Sequence, residues 1–498
     1  MTGTGGRSAG AGFRRFALAA VLAFGPAQAA LAQADVQTKQ YDDGSVYEGT
    51  FKDGLPDGQG TFRLPNGYEY TGAWAAGQPA GEGTARYPNG AVYVGGFAAG
   101  KPQGKGRITH ADGGTYDGDW ADGRMTGQGT ARYADGTQHT GHFASGLPEG
   151  PGRQSAPDGQ TFEGTWAKGV MEGKGRITFA DGAVYDGDLV AGQRVGKGTF
   201  TMPQGLTYAG DWKDGQINGT GRLTQPNGDV YEGAFVNGQR EGKGKLTYAN
   251  GDIYDGDFHM DLRHGKGMFK GPDGYAYDGD WVEGKIEGQG KVTYPDGSVY
   301  QGILGSDRPE GEGSITYPDG SGYSGHWTQG VIDGKGRATY AGGATYDGMF
   351  KSGRPDGKGR MTWPDGTSHD GLWSDGQRQG EGIATYPDGS TYQGGFANGL
   401  REGKGSFKAA DGFLYLGDWK AGVMDGQGLA TYPSGDVYEG GFVAGERQGA
   451  GVLRYATGQQ AAGGWKDGLL TAPTPVPDPA TDLAPPEPAP AETAPAAP

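Results

Sequence analysis

The sequence predicts an all-β repeat protein in which each repeated unit is a two-strand β-hairpin. Three observations predict it. A unit of 23 residues recurs without insertion from Tyr47 onward. Within each unit Tyr, Gly and Trp or Phe alternate with polar residues, as in Tyr277–Trp281, the period of a strand with one covered face. Glycine makes up 106 of 498 residues, about three times ordinary usage, and it returns at fixed offsets. Glycine in strict period marks backbone positions with a steric job rather than disorder.

Residues 1–34 read as a signal peptide. Arg14-Arg15 closes a basic region, Phe16 to Phe24 is a short apolar run, and Ala30-Leu31-Ala32 or Ala32-Gln33-Ala34 offers a small-residue cleavage site. The run is too short to span a bilayer. FRRFAL fits a twin-arginine signal poorly, so general secretion is expected. The expected destination is the periplasm or the exterior of a Gram-negative envelope. The chain has no Cys, which excludes disulfides, Cys-based zinc sites and a lipidated N-terminal cysteine.

The array is expected over residues 41–470. The unit Tyr231–Ile253 shows the plan, with Gly233, Gly238, Gly242 and Gly244 following Tyr231 at offsets 2, 7, 11 and 13, and Phe235 at offset 4. Anchors at this spacing run from Tyr47 to Ala461, eighteen full copies and a final half copy. A short fixed period over such a length means a repeat array. Each unit reads as two strands, one at Tyr277–Trp281 and one following the Gly-x-Gly pair at Lys291–Tyr294. Units are joined by Tyr-Pro-Asp-Gly, as at Tyr294–Gly297, which suits a type I turn closed by a left-handed glycine. The link inside a unit, Val282 to Glu287, reads as a longer loop carrying Gly284.

The pattern Y-x-G-x-W/F-x-x-G-x-x-x-G-x-G resembles the MORN repeat (membrane occupation and recognition nexus). Tyr208, Gly210, Trp212, Gly215, Gly219 and Gly221 carry the match, and Tyr231, Gly233, Phe235, Gly238, Gly242 and Gly244 repeat it. Choline- and glucan-binding hairpin repeats share the Gly, Tyr and Trp content but differ in period and lack the paired glycines. The resemblance implies an elongated, single-layer, twisted antiparallel sheet of stacked β-hairpin repeats. At about 4.8 Å per strand the array is expected to be roughly 180 Å long and one strand length, roughly 20 Å, wide. Stability is then a sum over neighbouring hairpins.

A second period is superposed. Trp alternates with Phe or Leu at offset 4, giving a 46-residue double unit, and the alternation slips between Phe235 and Phe258. Asp261 and Asp307 replace the offset-7 glycine nearby. Residues 235–310 are therefore expected to form a seam with a kink or change of twist. Residues 471–498, rich in Pro and Ala, are expected to form a disordered tail.

No catalytic constellation is visible, and neither enzyme activity nor a cofactor is expected. His139 and His369 substitute for anchor tyrosines. His259, Asp261 and His264 are the candidates for a metal site, against the reading that they are solvated loop side chains. Carboxylate pairs such as Asp117/Asp119 and Asp278/Asp280 lie opposite the ring face and read as a solubilising surface. Gly399–Ser406 is one residue short of a phosphate loop. Net charge is −16, or −19 once Arg7, Arg14 and Arg15 are removed, which disfavours nucleic acid and anionic lipid. The expected function is a non-enzymatic exported scaffold whose repeated surface binds protein or an envelope polymer. Homodimerisation is a further expectation. The alternatives are a polysaccharide-binding module using the Tyr/Trp ladder and a lipid-associated protein.

Overall fold

The structure, a computed structural model, describes residues 35–475. The signal-peptide reading of residues 1–34 and the tail reading of residues 476–498 lie outside the described residues. Among the described residues there are thirty-nine strands and no helix, numbered β1 (Gln37–Gln40) to β39 (Leu469–Thr474) in chain order. The chain divides into two compact units between Val170 and Met171. In the first, β1 to β12 (Thr161–Ala167) form antiparallel pairs between strands adjacent in sequence. In the second, the same holds from β13 (Val170–Thr178) to β39, for example β22 (Ala276–Val282) with β23 (Lys285–Thr293).

The hairpin differs from the expected one in two respects. The link inside a unit is the tighter of the two. Val282 pairs with Lys285, leaving Glu283-Gly284 as a two-residue turn with φ of 48° and 85°. Positive φ at both central positions is the type I′ turn, whose twist matches that of the flanking strands. The second strand also begins before the Gly-x-Gly pair rather than after it. Gly279 pairs with Gly290 and Trp281 with Ile286, so one residue, Asp280, faces three, Glu287 to Gln289. Gly288, at φ 103°, absorbs that bulge. The link between units matches the expectation: Gly297 N–H donates to the Tyr294 carbonyl at 2.9 Å, and Gly297 has φ 88°.

The expected seam over 235–310 does not coincide with the division of the chain. Strands from Val230 to Thr316 keep the pairing of the other hairpins. Asp261 and Asp307 adopt the left-handed conformation that glycine takes elsewhere, with φ of 69° and 66°. Each offsets that strain through its carboxylate. Asp261 Oδ1 accepts the Arg240 backbone N–H at 3.0 Å, and Asp307 Oδ1 accepts that of Ile286 at 2.8 Å.

Strand pairing also extends past residues 41–470. β1 precedes Tyr41, and β39 runs to Thr474, inside the segment read as tail, pairing Gly463 with Pro473. A terminal strand needs only one bonded edge, so it tolerates proline and dispenses with the repeat's side chains.

Candidate functional site

The rings and glycines of the motif form the core. Tyr208 is 0% exposed, and its hydroxyl donates to the Asp211 carbonyl at 2.9 Å. A side chain at Gly210 or Gly221 would collide with the Tyr208 ring. Gly215 closes the two-residue turn and donates to the Arg194 carbonyl, while Gly219, at φ 106°, makes the bulge. Trp212 donates its Nε1–H to the Gly198 carbonyl of the preceding hairpin at 3.1 Å. In the next unit Gly233 and Gly244 make room for Tyr231 as Gly210 and Gly221 do for Tyr208, while Gly238 and Gly242 supply turn and bulge. Phe235 stands edge-on to Tyr208 at 5.3 Å and to Tyr231 at 5.0 Å. Burial pushes the Tyr208 hydroxyl up to about 12.

This geometry decides against the ladder as a stacking platform for sugars. The offset-4 tryptophans are at most 7% exposed, because each packs edge-on against one or two anchor rings, as Trp212 does against Tyr185 and Tyr208 and Trp465 against Tyr438. That exposure is too small for a pyranose to lie flat on the indole. The polysaccharide reading loses its proposed contact surface.

The opposite face is polar and in register. Lys174 meets Asp188 at 2.7 Å and Lys243 meets Asp257 at 2.8 Å, and the pattern recurs at Lys197–Asp211, Lys266–Asp280 and Lys404–Asp418. The lysine hydrogen bond, with backbone N–H donors, holds Asp211 and Asp418 below the usual carboxylate range.

The candidate metal ligands are only partly brought together. His259 and His264 lie 5.6 Å apart between ring centroids. Asp261 turns instead to Arg240, and His259 Nδ1 meets Glu241 at 3.0 Å. Among the described residues no three His, Cys, Asp or Glu side chains are grouped to hold a metal ion. His139 and His369 occupy the anchor position at 0% exposure, and burial lowers the pKa of both.

One set of residues escaped the sequence reading. Arg194, Arg240, Arg263, Arg378, Arg401 and Arg447 all stand nine residues after an anchor. Their guanidinium carbons lie over ring faces: Arg194 at 4.4 Å from Trp212, Arg263 at 4.2 Å from Trp281, Arg401 at 4.1 Å from Trp419 and Arg447 at 4.3 Å from Trp465. Five of the six also donate Nη2 to a backbone carbonyl in the turn 21 residues on, as Arg194 does to Gly215 at 2.7 Å. The signal was available, since this position carries Arg, Pro, Met, Ile or Leu and no acid.

No curated protein matches the chain. Solved structures with some likeness include the TCP10 domain of Danio rerio CPAP with a peptide of STIL, at 17% identity, 54% of this chain, 98% of that chain and a TM-score of 0.17. The SAS-4 (dCPAP) TCP domain of Drosophila melanogaster, with a proline-rich motif of Ana2, is 16% identical over 42% of this chain and 94% of that one, with a TM-score of 0.19. Virginiamycin B lyase from Staphylococcus aureus is 11% identical over 72% and 94%, with a TM-score of 0.09. Scores this low carry nothing from those proteins to this one. The family model for the MORN repeat matches eighteen consecutive segments, the first at residues 47–67 and the last at 438–460. With the repeat matched over most of its length and its anchor rings and glycines in the roles the pattern requires, this chain belongs to the MORN-repeat family.

Proposed function

We propose that the protein is an exported, non-enzymatic scaffold that binds other proteins at the cell envelope through its repeated outer face. The observation that carries this reading is the constancy of the hairpin. The Gly–Gly pair recurs at 23-residue intervals, as in Gly210–Gly221, Gly233–Gly244 and Gly279–Gly290, so one surface geometry is presented many times. Weak contacts to a repetitive partner then add up through effective concentration. The anchor and offset-4 rings lie almost wholly in the core, which leaves the Lys–Asp face and the turns as the repeated surface for recognition. Export rests on the basic, apolar and small-residue order of residues 1–34.

Fractionation of the producing cell with N-terminal sequencing tests export: a mature terminus near residue 33 or 35 in the periplasm or medium is expected, and an intact terminus in the cytosol overturns it. Cross-linking in intact cells tests the scaffold reading. Recovery of the same partner proteins in repeat experiments is expected. Turnover of an envelope polymer by the purified protein would overturn the non-enzymatic reading.

A further inference from the structure

One cleft in the first unit reproduces the arginine slots of the second but has no arginine. It measures about 540 Å³ and is lined by Tyr41, Phe62, Trp74, Pro56 and Gly77, with Asp43 and Ser45 among its polar groups. Its rings repeat those around Arg401. Tyr41 and Phe62 stand 6.3 Å apart at 74°, and Tyr386 and Phe407 stand 6.5 Å apart at 65°. Phe62 and Trp74 stand 5.9 Å apart at 70°, and Phe407 and Trp419 stand 6.2 Å apart at 67°. In the second unit the Arg401 guanidinium covers both Phe407 and Trp419. In the first, the residue nine after the anchor is Pro56, which carries no cation.

The acceptor is also in place. Gly215, whose carbonyl accepts Arg194, donates its own N–H to the Arg194 carbonyl at 3.0 Å. Gly77 donates in the same way to the Pro56 carbonyl at 2.9 Å, so its carbonyl occupies the corresponding corner of the turn. Lys39 lies over Tyr41 at 5.0 Å, and no described cation lies over Phe62 or Trp74.

We propose that this cleft binds the guanidinium group of an arginine side chain presented by a partner polypeptide. The ring faces supply the cation–π attraction, the Gly77 carbonyl accepts an N–H, and the Asp43 carboxylate at the cleft supplies the opposite charge. Asp43 stays ionised because the Ser45 hydroxyl and backbone N–H both donate to it. A chain of net charge −16 also attracts a basic partner from a distance. The guanidinium is favoured over an ammonium because it is planar, weakly hydrated and able to stack while donating in its plane. The proposal goes beyond the scaffold reading and stands wherever the protein resides, since it is tested on the purified chain.

The test is titration of the full chain with the pentapeptide Gly-Gly-Arg-Gly-Gly, followed by ligand-observed NMR, against the same peptide carrying citrulline, the neutral isostere. The arginine peptide is expected to bind at least tenfold tighter. Pro56→Arg is expected to fill the slot from within and to weaken peptide binding at least tenfold while leaving the melting temperature unchanged or raised. If that variant melts lower, Tyr41→Ala, which removes one ring at the edge of the cleft, carries the same expectation for binding. Equal binding of the arginine and citrulline peptides, no binding of either, or full affinity in the folded variants overturns the proposal.

Discussion

The imidazole of His369 stands edge-on to the indole of Trp373, with ring centroids 5.2 Å apart and planes at 81°, and neither of its nitrogens completes a hydrogen bond. A tyrosine at this position reaches the carbonyl three residues on, as Tyr346 reaches Met349 at 3.0 Å. The shorter imidazole stops short of that geometry at Leu372. Burial, reinforced by the nearby Arg378 charge, lowers its pKa from 6.5 to about 4, and Asp370 only partly opposes this.

The hairpin at His369 should therefore be acid-labile. The unfolded ring binds a proton near pH 6.5 and the folded ring only near pH 4, so stability is full above pH 6.5 and falls as pH drops through that window. The loss is on the order of 3 kcal/mol once pH is below the folded value, from 1.36 kcal/mol per pKa unit. His139, with both nitrogens unpaired beside Trp166, should follow in the same direction. Because contacts are local, the loss should remain in these hairpins. Hydrogen exchange at pH 7 and pH 5 is expected to show faster exchange at residues 369–385 than at the tyrosine-anchored hairpin 346–362, and His369→Tyr should remove the difference. A loss of protection at pH 5 spread evenly over the hairpins, after allowance for the slower intrinsic exchange, would mean that the anchor histidines are not its source.

Glycine at offset 13 is a purely steric requirement. Gly221 has no positive φ, yet a Cβ there would meet the Tyr208 ring, which is pinned by its bond to Asp211. Gly221→Ala should cost about 2–3 kcal/mol, as overpacking does. Gly215→Ala meets no atom and pays only for its left-handed backbone, about 1 kcal/mol. Chemical denaturation of the two variants, with hydrogen exchange to localise the effect, checks the ordering. The reverse ordering would mean that the ring moves aside.

What the sequence disclosed follows from which interactions have a period. The strand alternation, the Tyr208–Gly221 exclusion and the Tyr294–Gly297 turn each depend on residues at fixed spacing, and all were legible. The two-residue turn was less so. Asn237-Gly238 and Asp53-Gly54 carry the turn's signature, but Lys168, Glu283 and Met260 take the same φ near 50° without it. There the pairing of the flanking strands overrides local preference. The substitutions Asp261 and Asp307 looked like a break because they replace the offset-7 glycine close to the slip in the Trp/Phe alternation, while their carboxylate bonds to the neighbouring hairpin lie outside the 23-residue pattern. The arginine slots were missed because their partners lie one repeat away, beyond the unit in which the pattern was read.

Asp261 provides a direct test of that compensation. Its Oδ1 accepts both the backbone N–H and the Nε–H of Arg240, at 3.0 and 3.1 Å, and its carbonyl accepts Nη2 at 2.7 Å. Asp261→Ala keeps the strained φ and removes the carboxylate, so it should destabilise by about 1–3 kcal/mol. Asp261→Gly removes the strain as well and should recover about 1 kcal/mol of that loss. Urea denaturation of the pair checks it. If the alanine and glycine variants are equal, the left-handed backbone at Asp261 carries no strain.

The outer Lys–Asp ladder should contribute little to stability and should respond to acid in the opposite range from the histidines. Asp211 accepts Lys197 together with the backbone N–H and hydroxyl of Thr220, at 2.8 and 2.9 Å, and its pKa is lowered. A lowered carboxylate pKa contributes stability that is complete above the unfolded value near 4 and disappears as pH falls through the folded value, so nothing is lost between pH 7 and pH 5. The Lys197 ammonium is largely in water, which limits the ion pair to under about 1 kcal/mol. Asp211→Asn keeps the shape and an acceptor for Thr220, so it should cost less than about 1 kcal/mol at low salt and less again at 0.5 M salt. Lys197→Met, which removes the charge from the other side, should match it. A loss above about 2 kcal/mol for Lys197→Met, insensitive to salt, would mean that the ladder holds neighbouring hairpins together rather than keeping the outer face charged and separate.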